Sequence, residues 1–379
     1  MLINQLTVKN FGCIKDVSVK LTPLHAFIGP NDSGKSTLLR AARTGMQLLT
    51  GKFEGGFPEL DQDKECKPFH PGNHQNAEIT ISPNDRLKYS VSLNAMNIDE
   101  KLFDHETRTH ANDRQIWDKP GLTRIFFDLL SKTDKMPKNV LLPSDIPDGN
   151  SRLTDINFEK AIKQIPRMVR LDPDSLRQPG GLIPSSQPID FKENGIGLAG
   201  VLDALMKRKI DGYISLREKV IELFPTVASL GLKNITENEM SIEFELKNGA
   251  RIPASNMSEG MLYYIAFSAL QYLEPASILL VEEPENGLHP SRIKEVMAII
   301  RELSTTTQVL IATHSPLVIN EMQPEEVSVV WREENTGTKV TPLMATQEFD
   351  LRSKVYALGE LWLSYADGIN EKMLRTGKE

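Results

Sequence analysis

Residues Gly29-Pro30-Asn31-Asp32-Ser33-Gly34-Lys35-Ser36 spell GxxxxGK[ST], the spacing at which a chain can wrap its backbone around phosphate oxygens. The glycines let successive N–H groups point at an anion, and a helix beginning at the lysine adds its positive end. In such a loop Lys35 neutralises the β- and γ-phosphates and the Ser36 hydroxyl coordinates Mg²⁺. A second segment, Ile278-Leu279-Leu280-Val281-Glu282-Glu283-Pro284, ends an apolar run in two acids. A carboxylate at the carboxyl end of a strand beside a phosphate loop can hold Mg²⁺, and the next one can polarise water towards the γ-phosphate. Met257-Ser258-Glu259-Gly260-Met261 reads as a helix start with Ser258 as N-cap, offering free N–H groups to an anion. Ala312-Thr313-His314-Ser315-Pro316 places a histidine after another apolar run, where it can bond a phosphate oxygen or the attacking water. Taken singly, the last three are ordinary: acids solvating a strand end, a capped helix, a structural histidine.

Specific elements must position these groups. Leu24 to Ile28 has the pattern of a buried strand ending at Gly29, with a helix from about Lys35. Leu2–Lys9 and Val17–Leu21 read as strands before it. Thr80-Ile81 and Tyr89–Leu93 read as strands of a peripheral sheet. The best helical periodicity runs from Leu198 to Phe224, with Gly212 expected to split it. A helix is expected over Gln115–Lys132, interrupted at Pro120-Gly121, and Pro179-Gly180-Gly181 is read as loop. Further on, Ile242–Leu246 alternates as a strand, and a helix is expected from Ser258 to Tyr272. Ile278–Val281 and Val309–Ala312 read as buried strands flanking a helix from Ser291 to Leu303. Val327–Val340 reads as an edge hairpin, and a last helix as lying around Ser353–Tyr365. The fold class expected is α/β: a P-loop NTPase head with a mixed sheet core flanked by helices and an antiparallel peripheral sheet. The core is divided into 1–50 and 240–379, with an insertion over 51–239 that carries the peripheral sheet and a compact helical subdomain.

Composition agrees with a globular chain. The 379 residues are 40% apolar and 25% charged, which excludes wholesale disorder. A net charge of −7 argues against a protein that coats nucleic acid with its whole surface. Two cysteines cannot frame a disulfide scaffold, and no run approaches the length of a membrane span. The expected location is the cytoplasm, away from membranes.

Together these four segments resemble ABC-type ATPases, and within them the soluble branch that includes RecF, the SMC proteins and the overcoming-lysogenisation-defect (OLD) proteins. The likeness is nearest to stand-alone ATPases of bacterial defence operons. It rests on Asn10-Phe11, Gly29 to Thr37, Ser258 to Gly260, Glu282 to Pro290 and Thr313 to Pro316. It covers about residues 1–50 and 240–320 firmly.

The resemblance implies a role for each position. Gly29, Asn31, Ser33, Gly34, Lys35, Ser36 and Thr37 bind ATP phosphates. Ser36 and Glu282 serve Mg²⁺. Glu283 activates water, with Lys35 and His314 completing the catalytic set. Ser258 and Gly260 reach the γ-phosphate held by a second protomer, and Asn286 to His289 cross the same interface. Two departures stand out: Glu282 replaces the usual aspartate, and Glu259 replaces a glycine common in the signature.

Carried through, the resemblance implies an Mg²⁺-dependent ATPase switch for antiviral defence. ATP would lie between two head-to-tail copies, so the partner is a second copy of the chain, in a dimer or higher oligomer. A co-encoded effector protein is the next partner expected, and DNA or RNA a further one. Two other readings stay open: a slow-turnover scaffold that holds a separate nuclease or toxin, and a RecF-like repair ATPase. A P-loop kinase leaves the Ser-Glu-Gly and Glu-Asn-Gly-Leu-His-Pro strings without a purpose.

Other signals are weaker. Cys66, His70 and His74 form C-x₃-H-x₃-H but lack a fourth zinc ligand. Lys207-Arg208-Lys209, with Arg167, Arg170 and Arg177 upstream, reads as a solvated face more than a nucleic-acid contact. Glu348, Asp350 and Asp367 lack the Asp-x-Asp pairing of a Toprim nuclease, so no built-in nuclease is expected.

Overall fold

The computed structural model describes residues 3–50, 77–82, 87–93, 98–104, 164–333, 337–346, 349 and 356–366. The helix expected over Gln115–Lys132 and the Cys66, His70 and His74 trio lie outside them.

The chain enters as an antiparallel pair, β1 (Gln5–Phe11) and β2 (Ile14–Lys20), followed by β3 (Leu24–Ile28) and α1 (Lys35–Thr50). Strands β4 (Ala77–Ser82), β5 (Leu87–Leu93) and β6 (Ile98–Asp104) join the first two in a five-stranded antiparallel sheet of order β2-β1-β4-β5-β6. After β7 (Arg167–Val169) come α2 (Pro173–Leu176), β8 (Gly180–Gly181), α3 (Leu198–Arg208) and α4 (Ile210–Leu223). Then follow β9 (Val227–Asn234), β10 (Glu239–Leu246), β11 (Arg251–Pro253) and α5 (Glu259–Leu270). The last third holds β12 (Leu279–Glu282), α6 (Pro290–Leu303), β13 (Val309–Thr313), α7 (Pro316–Asn320), β14 (Val327–Glu333), β15 (Gly337–Pro342) and α8 (Leu358–Ala366).

The core sheet has the order β15-β14-β3-β13-β12-β7. Five strands are parallel, and β15 closes one edge as an antiparallel hairpin partner of β14. Side chains alternate across it, and both faces are dry. Leu24, Ala26, Ile28, Leu279, Val281, Val309 and Ile311 enter one apolar cluster with α3 to α6. Phe27, Leu280, Leu310, Ala312 and Val330 enter the other, with α1 and the antiparallel sheet. Burial on both faces is why these strands read as unbroken apolar runs.

Helix α1 is wedged between the two sheets through Leu38, Leu39, Ala42 and Met46. Helix α5 is buried at every position from Leu262 to Leu270, so it has no polar stripe.

The structure corrects several readings. Helices α3 and α4 part at Lys209, not Gly212: Lys209 leaves the helical region at φ −137°. Gly212 sits inside α4 because a side chain there would meet the Tyr272 ring at 2.6 Å. Gly180-Gly181 is a short strand on β10 and not a loop. It lies so close to α3 that a Cβ on Gly200 would stand 2.1 Å from the Gly181 carbonyl oxygen, so only glycine fits the crossing. Finally β7, which falls inside the segment 51–239, pairs with β12 in the core sheet.

Candidate nucleotide site

The loop leaving β3 turns back on itself through two positive-φ residues, Asp32 at 62° and Gly34 at 106°. It ends in the first turn of α1, whose leading N–H groups have no helical partners. The β14–β15 hairpin braces this turn. Thr338 Oγ1 donates to the Ser33 carbonyl at 3.0 Å, and the Thr338 amide donates to the Cys13 carbonyl. A Cβ on Gly34 would lie 2.3 Å from Thr338 Oγ1. Arg332 pairs with Asp32 at 3.0 Å. None of these braces is legible in the loop pattern itself.

Lys35 Nζ donates to the Gly29 and Pro30 carbonyls at 2.9 and 2.8 Å. Burial pulls its pKa below the usual lysine value, and Glu283, Glu285 and Glu282 partly restore it, in that order. The ammonium is thus folded onto its own loop, facing three carboxylates.

Those carboxylates come from the neighbouring strands. Glu282 ends β12 opposite Ala312, and the Glu283 amide donates to the Ala312 carbonyl at 2.8 Å. Glu283 itself takes φ 48°, an uncommon conformation for a side chain of its size. Its carboxylate Oε2 accepts from Asn286 Nδ2 at 2.5 Å, while Oε1 lies near His314 Nδ1, at 3.7 Å. Glu285 Oε1 accepts from Thr313 Oγ1 at 2.6 Å and stands 3.6 Å from the same histidine nitrogen. Glu282 Oε1 and Glu285 Oε2 are buried with no hydrogen-bond partner. A buried carboxylate oxygen left in that state costs free energy until a cation or donor meets it.

Lys35, Glu282 and Glu283 share one cleft of about 300 Å³, and Glu285 lies outside its lining. Asn31, Ser33, Gly34, Lys35, Ser36, Thr37, Glu282 and Glu283 line it together with Cys13 and Arg40. Gly29 contributes its carbonyl to Lys35, and His314 stands beside Glu283. The oxygen set of Ser36 and Glu282, with an orphaned carboxylate oxygen, suits a hard divalent cation.

Ser258 and Gly260 do not line this cleft. Ser258 is exposed at the start of α5, in N-cap conformation, yet its hydroxyl makes no cap bond. Gly260 packs against the Gly287 carbonyl, and Gly287 against the Tyr263 ring. The Tyr263 hydroxyl donates to the Leu171 carbonyl at 3.0 Å, and its pKa is pushed up to about 12, first by burial and then by Glu259 and Asp172. The α5 start therefore rests on the loop that carries Glu283, with its own face open to solvent.

Sequence reading gave Glu285 and Thr313 no role of their own within their strings and took Arg170 as one member of a solvated basic face. Glu285 lay within the Glu282–Pro290 string, where its role had no separate signal. Of the basic residues, Arg208 bonds the Ile183, Pro184 and Gln187 carbonyls, Lys207 pairs with Asp203, and Lys209 bonds the Tyr272 carbonyl. Among the described residues no cluster of three or more metal-ligating side chains of the His/Cys/Asp/Glu type occurs, and no helix is long and apolar enough to cross a membrane.

A mostly parallel sheet with a phosphate loop after β3, paired acids at the end of β12 and an exposed helix start at Ser258 defines an ABC-type P-loop head of the class that includes OLD, RecF and SMC proteins. Residues 24–320 match the family described as "AAA domain, putative AbiEii toxin, Type IV TA system", and the chain belongs to that family. Among curated proteins it is similar to endonuclease GajA of Bacillus cereus, at 20% identity across 98% of this chain and 63% of that protein. It is also similar to an OLD nuclease of Thermus scotoductus, at 50% identity over 40 residues, 11% of this chain and 8% of that one. An uncharacterised protein of Methanocaldococcus jannaschii is 27% identical over 36% of this chain and 41% of its own length. The chain thus spans less than two thirds of each of these relatives. Among solved structures it resembles an SMC head bound to the C-winged helix domain of ScpA, with a TM-score of 0.54 and 15% identity over 90% of this chain and 98% of that one. An SMC head with coiled coil and joint from Pyrococcus yayanosii gives 0.52 and 13% over 97% and 100%. These likenesses concern the fold.

Proposed function

We propose that the protein is an Mg²⁺-dependent ATPase that works as a nucleotide-driven switch, with ATP held between two head-to-tail copies. The observation that carries this reading is the convergence of Lys35, Glu282 and Glu283 on one cleft while Ser258, on the same chain, is exposed and does not line it. A single copy can grip phosphates but leaves the terminal one open to water. The open start of α5 supplies what a second copy needs to cover it.

In this reading Lys35 exchanges the Gly29 and Pro30 carbonyls for phosphate oxygens, and the loop amides bind the rest. Glu283 is the general base. Asn286 fixes its orientation, and His314 sits where it can bond the same water or the γ-phosphate. Glu282 and Ser36 would hold Mg²⁺, which when bound draws charge from the phosphate oxygens. Turnover removes the shared anion and loosens the pair, so nucleotide state is readable by another molecule. The resemblance to ATPases of bacterial defence operons and the toxin–antitoxin description of the matched family support a role in antiviral defence, with a co-encoded effector or a nucleic acid as the molecule that reads the switch.

Sedimentation of the Glu283→Gln variant with and without Mg²⁺-ATP tests the proposal. A shift to twice the mass with ATP supports it. A monomer at saturating ATP rejects it.

A further inference from the structure

Glu282 has a neighbour that neither the phosphate-loop pattern nor the paired acids announce. Val169 stands opposite Val281 in parallel register, so Arg170 and Glu282 leave their strands side by side. Arg170 Nε lies 3.4 Å from Glu282 Oε2. The surroundings of the pair are unequal: the carboxylate side chain is 4% exposed and the arginine side chain 62%. At this separation the contact is an ion pair, longer than the 2.7–2.9 Å of a strong charge-assisted hydrogen bond. Meanwhile Glu282 Oε1 has no partner at all. The backbone around Arg170 is secured independently, since its amide donates to the Glu193 carbonyl and the next carbonyl accepts from Tyr263. The guanidinium can therefore swing away without disturbing β7.

We propose that Arg170 is the resident counter-ion of Glu282, and that a divalent cation takes both oxygens of that carboxylate only by displacing it. The inference rests on the nucleotide site proposed above and adds a loading rule to it. Without phosphates, a metal that takes the whole Glu282 carboxylate must evict a like-charged group, and one that takes Oε1 alone must sit beside it, in exchange for one carboxylate and one hydroxyl. With a nucleotide, the phosphates supply further oxygen ligands to the metal and an anion to which the released guanidinium can turn. The cleft then refuses free metal and accepts metal together with nucleotide. Because a guanidinium keeps its charge at any physiological pH, phosphate and not acidity releases this latch.

The test is binding of Mn²⁺, followed by the electron paramagnetic resonance of the free ion, to the full chain without nucleotide and again with ADP. Arg170→Ala and Arg170→Gln are each expected to tighten Mn²⁺ binding in the absence of nucleotide by about tenfold, the lower end of what a residue next to a metal ligand commonly controls. The gap to the unaltered protein is expected to close with ADP present. If both variants bind Mn²⁺ as weakly as the unaltered protein, while Glu282→Gln removes binding in the presence of ADP, the counter-ion role falls and the nucleotide site stands. If Glu282→Gln leaves Mn²⁺ binding with ADP untouched, the metal is not at Glu282 and both ideas fall.

Discussion

Thr313 donates its hydroxyl proton to Glu285: Oγ1 lies 2.6 Å from Oε1, tying the end of β13 to the loop after β12. The same carboxylate oxygen accepts from the His314 amide at 3.3 Å. One buried side chain thus fixes where the histidine leaves its strand. Thr313→Val keeps the shape and removes the donor. Leaving a buried acceptor short of a partner costs about 1–3 kcal/mol, so urea unfolding should show a loss of that size. Phosphate release should slow with KM little changed, because the histidine moves and the phosphate loop does not.

Glu283→Gln removes the base and keeps its size and its contact with Asn286. Loss of a positioned general base lowers turnover by about 10²–10⁴-fold. Single-turnover hydrolysis should show that fall, while equilibrium binding of a fluorescent ATP analogue stays within a few fold of the unaltered protein.

Gly34→Ala combines a positive φ of 106° with a Cβ placed 2.3 Å from Thr338 Oγ1. The backbone strain alone is on the order of 1–2 kcal/mol. The clash forces either the loop or the β15 strand to move, so nucleotide should no longer raise the melting temperature. In the unaltered protein, ligand at 100 times its Kd adds about 2.7 kcal/mol. Differential scanning fluorimetry with and without Mg²⁺-ATP checks both effects.

His25 supplies a pH prediction away from the site. It is buried in β3, between Thr22 and Ser328, at 3.1 and 3.0 Å from their hydroxyl oxygens. Burial lowers its pKa from 6.5 to about 3. The folded protein therefore keeps it neutral while the unfolded chain protonates it. Its contribution is present above pH 6.5 and is lost as pH falls towards 3, at up to about 1.4 kcal/mol per pH unit. His25→Gln should flatten the fall in urea midpoint between pH 6 and 4, while the two proteins run parallel above pH 7.

The core strands and the phosphate loop were legible because burial on both faces leaves a continuous apolar run, as at Leu279–Val281 and Val309–Ala312. The acids at the end of such a run stand out for the same reason. Strand β7 was not legible: Arg167-Met168-Val169 is too short to show alternation, and its place comes from pairing with β12 across more than a hundred residues. Arg170 likewise looked like one member of a basic run until that pairing set it against Glu282. The break at Lys209 and the strand at Gly180 were misread because each glycine there answers to a packing partner, Tyr272 or α3, and not to a turn.

The central claim is that one copy grips the triphosphate with Lys35 and another covers it with Ser258. The most direct measurement is ATP hydrolysis by a mixture of two inactive variants, Lys35→Ala and Ser258→Arg. A mixed pair has one site with both defects and one with neither, so an equal mixture should recover roughly a quarter of the unaltered rate if copies pair at random about a two-fold axis. A mixture no more active than either variant alone would contradict the shared site.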